Sequence, residues 1–321
     1  MAMEYGHTPV LLDACLNVLN VRPEGVYVDG TLGRAGHASE IAKRLTSGRL
    51  IGIDRDPQAL SESAERLAPQ SGRVTLLRGS FADLRALLQS VGVNAVDGML
   101  FDLGVSSPQL DDPRRGFSYL HDAPLDMRMD PDAPLSAYEV VNGWTEDELR
   151  RVLYEYGEER YAPSIAREIV RRRRTRPLAT TLELVDAIRS AMPARALREK
   201  QHPAKRTFQA VRIAVNGELD ALEPMLRDAV ELLNPAGRLA VITFHSLEDR
   251  IVKRAFRDFA TGCMCPPEFP VCVCGRRPKV RTLTRKPITP DETELRENPR
   301  SRSAKLRAVE KLDPFDLAPV R

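Results

Sequence analysis

The chain has 321 residues, 42% of them hydrophobic and 29% charged, with a formal net charge of +3. That length exceeds one average domain, so an α/β core of about 200 residues with an added module is the natural expectation. No apolar run reaches the roughly 18 residues of a membrane span, and the first residues lack a basic-then-apolar signal segment, which predicts a soluble, cytosolic protein that meets no membrane.

The stretch from Val26 to Asp54 reads as a strand, a glycine turn, a helix and a second strand ending in an acid. This is the first βα unit of a doubly wound nucleotide-binding fold. Gly30, Gly33 and Gly36 are expected to allow tight turning and to let a ligand lie against bare backbone, with Asp54 accepting hydrogen bonds from ribose hydroxyls. Asp29 narrows the ligand, because it stands inside the loop where a dinucleotide pyrophosphate would sit. Like charges at about 4 Å cost on the order of 4 kcal/mol at an effective dielectric near 20. S-adenosylmethionine carries no phosphate but has an ammonium and a sulfonium, which an acid favours, so methyl transfer leads over hydride transfer.

Next come a helix over Pro57 to Leu67, a strand over Val74 to Arg78, a helix over Phe81 to Val91 and a strand over Val96 to Asp102. The alternation predicts a mostly parallel sheet with ligands at the carboxyl ends of its strands. From Leu110 to about Ala204 charged helical patterns take over, at Thr145 to Tyr156, Ala162 to Arg174 and Thr180 to Ala191, which reads as a helical insertion. The α/β pattern resumes with one long helix over Thr207 to Leu233, the turn Asn234 to Gly237 and a strand over Arg238 to Phe244. A last strand, Ala304 to Val309, is expected to close the sheet antiparallel. The domain boundaries are thus 1–110 for the first part of the core, 111–205 for the insertion and 206–321 for the second part of the core.

Asp102 ends the fourth strand and is the residue expected to meet the substrate. Its carboxylate can accept a hydrogen bond from an exocyclic amine and orient the nitrogen lone pair for in-line attack on a methyl group; binding only the cofactor's own ammonium is the alternative. Phe81 is placed to pack on an adenine face or in the core, and Gln109 to bond cofactor or acceptor base, or neither. His245 invites a general-base role, although a histidine just after a strand is more often structural, and it stands as a candidate substrate contact. Phe117, Tyr119 and Phe244 are candidates to stack on a base taken out of its helix.

Cys263-Met-Cys265 and Cys272-Val-Cys274 form two close pairs. They are compatible with one structural zinc, with free reduced thiols or with disulfides, in a loop kept irregular by Pro266, Pro267 and Pro270; the one-residue gap is tighter than usual for zinc. Arg276 to Lys311 holds twelve Lys or Arg against five Asp or Glu, suited to a phosphate backbone, whereas Arg171 to Arg174 reads rather as a solvated helix face.

Together these segments resemble the ribosomal RNA small subunit methyltransferase H (MraW) family over nearly the full length. The carriers are His7-Thr-Pro-Val10, Asp29 to His37, Ile53-Asp-Arg-Asp56, Asp102 to Asp112, Arg115-Gly-Phe-Ser118, Pro124 to Asp130, Tyr156 to Arg160, Arg206 to Ala210, Phe244 to Arg250 and Asn298 to Ser303. The resemblance implies a class I S-adenosylmethionine-dependent methyltransferase, Rossmann-like, with an inserted helical domain. It implies methylation of the N4 amine of a cytidine in 16S rRNA of the small ribosomal subunit, near the decoding site. Carried over by residue, the cofactor contacts are Ala35, Gly36, His37, Asp54, Phe81, Asp102 and Gln109; a homodimer is left open. Ala35 stands where glycine is common, and Ala236 replaces the first glycine of a usual Pro-Gly-Gly turn. A nicotinamide oxidoreductase and a non-catalytic RNA-binding factor are the rival classes, the first opposed by Asp29 and the second by the presence of both Asp54 and Asp102.

Overall fold

The computed structural model describes residues 9–266, 269 and 271–313. His7 and Thr8 of the first motif, and Pro267 and Pro270 of the cysteine loop, lie outside them. The chain forms two compact units: residues up to Gly104 together with those from Asp220, and Val105 to Leu219.

The first unit opens with α1 (Leu12–Leu19), then alternates β1 (Val26–Asp29), α2 (Gly36–Arg44), β2 (Arg49–Asp54), α3 (Pro57–Arg66), β3 (Val74–Arg78), α4 (Leu84–Ser90) and β4 (Val96–Asp102). Phe81–Asp83 is a 3₁₀ turn, so the helix expected from Phe81 begins at Leu84. The strands β2 and β4 are near-continuous apolar runs because both of their faces are covered, the mark of a parallel sheet. The Asp56 carboxylate accepts the Gln58 N–H and Pro57 follows at the first helical position, which fixes where α3 starts.

The second unit carries α5 (Ser107–Asp111), α6 (Ala137–Gly143), α7 (Glu146–Glu155), α8 (Ala162–Arg173), α9 (Thr181–Ala191) and α10 (Lys205–Asn216). Ser136, Thr145 and Thr180 cap three of these helices, each paired with a glutamate three residues on. Leu149, Leu153, Ile165, Ile169, Leu184 and Ile188 recur at helical spacing and share one buried core with Phe117 and Phe208. Phe117 is 6% exposed and belongs to that core, so it is not placed to stack on a base. Tyr119 has one ring face already stacked on His202, with centroids 4.4 Å apart.

The single helix expected over Thr207 to Leu233 is two. Asn216 ends α10, Gly217 caps it with φ +59°, and α11 (Leu222–Leu232) starts afresh in the first unit. After α11 come β5 (Leu233–Thr243), α12 (Ser246–Ala260), β6 (Val280–Thr282), α13 (Glu292–Glu297) and β7 (Lys305–Lys311). The turn at Asn234 to Gly237 is a bulge inside β5: Val96 pairs with Leu233, and Gly98 next with Arg238.

The sheet order is β3-β2-β1-β4-β5-β7-β6. β7 runs antiparallel to β5 as expected of the last strand, but it does not close the sheet; β6 pairs beyond it and forms the edge. The order reverses between β1 and β4, which makes the space past their carboxyl ends the switch-point crevice of the sheet.

Candidate functional site

Three acids end neighbouring strands: Asp29 on β1, Asp54 on β2 and Asp102 on β4. The loop after Asp29 is tied to the sheet by its own backbone. Gly30 donates to the Leu100 carbonyl at 2.9 Å, Leu32 to that of Ile53 at 3.0 Å, and Thr31 Oγ1 accepts the Asp102 N–H at 2.5 Å.

The glycines of this loop do different work from that expected. A Cβ on Gly30 would lie 2.1 Å from Phe101 Cε1, and one on Gly36 would lie 2.6 Å from Pro9 Cγ. Those two residues are small because the protein packs against them. Gly33 is the turn glycine, with φ +51° and open space around it. Ala35, at φ 56°, holds the same left-handed conformation at the N-cap of α2. Ala236 is left-handed too, at φ 62°. The two positions where glycine is commoner in the resembling family are therefore conformational sites, and the added methyl costs backbone strain rather than space.

Asp54 uses both oxygens to hold the loop: Oδ2 accepts the Gly33 N–H at 2.8 Å and Oδ1 the Asp56 N–H at 2.9 Å. Each oxygen retains acceptor capacity for a hydroxyl. Burial raises its pKa, and the two N–H donors oppose the rise. Asp29 is 2% exposed and accepts the Thr31 N–H at 3.2 Å. Its pKa is pushed up to about 7, first by burial and further by Asp54.

Asp102 is the acid with spare capacity. Its side chain is 27% exposed, yet Oδ1 is buried without a hydrogen-bond partner, while Oδ2 lies 4.0 Å from His37 Nδ1. Its pKa is raised to about 8 by burial first, then by Asp29 and Glu248. His37 stands in the first turn of α2 with Nε2 2.9 Å from the Val10 carbonyl, so Nε2 carries the proton and Nδ1 presents a lone pair. Burial drops its pKa to about 4. The residue reading alone did not single out His37; its signal is its position at the start of the helix after the loop, one residue past Gly36.

Phe81, half-buried, opens the 3₁₀ turn after β3, meets Phe101 edge-on at 6.1 Å, and has the Arg55 guanidinium 5.6 Å from its centroid. Gln109 belongs to the other unit, where it is buried and its side-chain oxygen accepts the Ser106 N–H at 3.1 Å. His245 is the N-cap of α12. Its Nδ1 accepts the Glu248 N–H at 3.5 Å, and Glu248 Oε2 takes the Phe244 N–H at 2.8 Å. Through Nδ1, His245 thus caps α12 with Glu248 as its reciprocal partner, while its buried Nε2 has no hydrogen-bond partner.

The arginine run is mostly committed within its own unit. Arg171 and Arg172 bind Glu168, Arg172 also reaches Asp186, and Arg173 donates to the carbonyls of Val141 and Trp144. In the basic C-terminal segment Arg307 and Lys305 pair with Asp249 and Arg281 with Glu310, whereas Arg277, Arg285, Lys286 and Arg302 are exposed.

A crevice lined by three buried or half-buried carboxyls suits a ligand whose positive charge favours their ionisation and whose vicinal hydroxyls they can accept. The unpartnered Asp102 Oδ1 is an acceptor awaiting such a donor. Among known proteins, the chain is 56% identical over 311 residues to Ribosomal RNA small subunit methyltransferase H of Brevibacillus brevis, covering 97% of this chain and 99% of that one. It is 55% identical over 310 residues to the protein of that name from Carboxydothermus hydrogenoformans, with the same coverage. With the protein of that name from Symbiobacterium thermophilum it shares 56% over 311 residues, covering 97% and 98%. The model of the MraW methylase family matches residues 4–312. With an acid-lined switch point on a class I methyltransferase sheet and a family match over nearly its whole length, the chain belongs to the MraW methylase family, whose cofactor is S-adenosylmethionine.

Proposed function

We propose that the protein methylates the N4 amine of a cytidine in 16S rRNA of the small ribosomal subunit, near the decoding site. Identity of 55–56% across 97% of the chain to relatives named as ribosomal RNA small subunit methyltransferases supports the substrate class; the position and the atom rest on the family resemblance of the motifs. The observation that carries the site assignment is Asp102, an acid at the end of β4 with a buried, unpartnered oxygen.

The cofactor, when bound, supplies a methyl group on a sulfonium, a good leaving group that needs no general acid. The protein's task is therefore placement. In this reading Asp54 takes the ribose hydroxyls, Phe81 covers the adenine, and the loop from Ala35 to His37 lines the cofactor. Asp102 faces the cofactor's ammonium, the substrate amine, or each in turn. As a carboxylate it accepts an amine N–H and orients the nitrogen lone pair. For Gln109, its assignment to the cofactor rests on the resemblance alone. The exposed Arg277, Arg285, Lys286 and Arg302 are suited to RNA phosphates, whose contribution to affinity falls steeply with salt.

The deciding experiment incubates the protein and radiolabelled S-adenosylmethionine with small subunits from cells lacking the enzyme and maps the label by mass spectrometry. Label on N4 of one cytidine, lost in Asp102→Ala, is the expected result. Label on another atom or nucleotide overturns the specificity, and cofactor binding without label overturns the reaction.

A further inference from the structure

The loop between α12 and β6 carries four cysteines that the methyl-transfer site does not use. Its described residues, from Thr261 to Lys279, contain no helix or strand, and its apolar side chains face outward: Met264 is 62% exposed, Val271 63% and Val273 74%. A segment of this length without secondary structure or a core of its own needs another source of order. Its ends are anchored, since Lys279 N–H donates to the Phe259 carbonyl at 2.7 Å and Arg276 Nε to the Thr261 carbonyl at 3.2 Å. Those bonds leave its middle unaccounted for.

The four sulfurs supply the missing link. Cys263 Sγ lies 3.3 Å from Cys272 Sγ and 3.7 Å from Cys274 Sγ, while Cys272 Sγ is 3.9 Å from Cys265 Sγ and 3.5 Å from Cys274 Sγ. All four fall within 4.8 Å of one another. A zinc–sulfur distance of about 2.3 Å in a tetrahedron sets the edge between sulfurs at about 3.8 Å. The observed separations straddle that edge. They do not divide into two short pairs and two long gaps, as two disulfides would require.

The one-residue spacing fits as well. Each Cys-x-Cys arm brings both of its sulfurs into the cluster while its middle residue stands outside it. Met264 and Val273, the two middle residues, are among the most exposed apolar side chains of the described residues. Backbone N–H groups point at the sulfurs, Cys265 N to Cys263 Sγ and Val273 N to Cys265 Sγ, both at 3.4 Å. Such donors stabilise thiolates and fix their direction.

We propose that Cys263, Cys265, Cys272 and Cys274 bind one structural Zn²⁺ as four thiolates. Binding forms four zinc–sulfur bonds and releases the thiol protons to solvent; no electron is transferred. With every tetrahedral position taken by the protein, no site is left for water or substrate, so the ion orders the loop and takes no part in chemistry. A two-iron cluster would hold the cysteines as separated pairs on different metals, which the single compact tetrahedron does not do.

The test uses the full-length protein, incubated with Zn²⁺ under reductant and then freed of loosely bound metal. One zinc per chain is expected, with Co²⁺ exchange giving the spectrum of a tetrahedral tetrathiolate. The four thiols should resist alkylation until a chelator is added; buried Cys15 serves as the internal reference. The Cys263→Ser/Cys272→Ser variant should lose the metal yet still bind S-adenosylmethionine, showing that the core has folded. Zinc in the wild type no higher than in that variant, stoichiometric iron instead of zinc, or a mass deficit reversed by reductant each overturn the proposal.

Discussion

His37 Nδ1 faces Asp102 Oδ2 at 4.0 Å, and the two groups are held in complementary, uncharged forms. The Val10 carbonyl takes the His37 Nε2 proton, and burial keeps the ring from gaining a second, with its pKa near 4. Asp102, its pKa raised to about 8, keeps its own proton at neutral pH. The unliganded crevice therefore buries little net charge. A cation bound beside Asp102 is expected to draw out its proton by stabilising the carboxylate.

Replacing Asp102 should separate activity from stability. Asp102→Asn keeps the shape but cannot ionise, and the loss of a positioned carboxylate should lower kcat/KM by about 100-fold or more. In the folded state the raised pKa means that the carboxyl holds its proton while the unfolded chain, near its ordinary value of 3.8, has lost it. Wild-type stability therefore falls as pH rises from about 4 toward 8, and the variant escapes this part of the fall. Urea midpoints should show an advantage for Asp102→Asn that widens from pH 5 to pH 8. An advantage equal at both would contradict the raised pKa.

Phe81 should matter for the cofactor and little for the fold. It is half-buried, held by the edge of Phe101 and the Arg55 cation, so a planar ring is presented with its orientation fixed. Phe81→Ala should weaken S-adenosylmethionine about tenfold, within the range of a lost base–aromatic stack, and Phe81→Tyr should retain affinity. Calorimetry on the two variants decides it; equal affinity in wild type and Phe81→Ala would assign the ring to the core.

The strand-end acids were legible because a carboxylate after an apolar run marks both an element boundary and a chemical group, and local sequence carries both. Gly33 is legible as a turn glycine, whereas the packing that keeps Gly30 and Gly36 small is not: their partners Phe101 and Pro9 are distant in sequence, and no local pattern joins residues that far apart. Phe117 looked like a stacking candidate since a single aromatic beside Gly116 has no periodicity to reveal its core neighbours. The break at Gly217 was hidden for the opposite reason, as two apolar helices in register blend into one pattern. Edge strand β6 has three residues, too few for alternation to show.

Two small substitutions test the backbone reading of the loops. Gly30→Ala puts a Cβ 2.1 Å from the fully buried Phe101 ring, with no flexible side chain to yield, and should cost about 1–3 kcal/mol. Ala236→Gly relieves a left-handed alanine at φ 62° on an exposed bulge. Relief of about 1–2 kcal/mol, offset by about 0.4–1 kcal/mol of extra unfolded-state freedom, predicts a net gain below about 1.5 kcal/mol. Chemical denaturation checks both signs, and a destabilised Ala236→Gly would contradict the conformational account.

Cofactor affinity should rise with pH between 6 and 8. Asp29, with a pKa near 7, and Asp102, near 8, are both largely protonated at pH 6 in the free protein. A cation bound beside them lowers both values, so binding expels protons and weakens as pH falls below the free-state pKa of each group that must ionise. Each such group contributes up to about tenfold in affinity per pH unit in that range. Titration calorimetry at pH 7 in two buffers of different ionisation enthalpy should report net proton release, and Asp102→Asn should reduce it. Identical heats in the two buffers would mean that the carboxyls are already ionised before the cofactor arrives. The orphaned Asp102 Oδ1 would then be a charge buried without a partner, at a cost of several kcal/mol that the protonated form avoids.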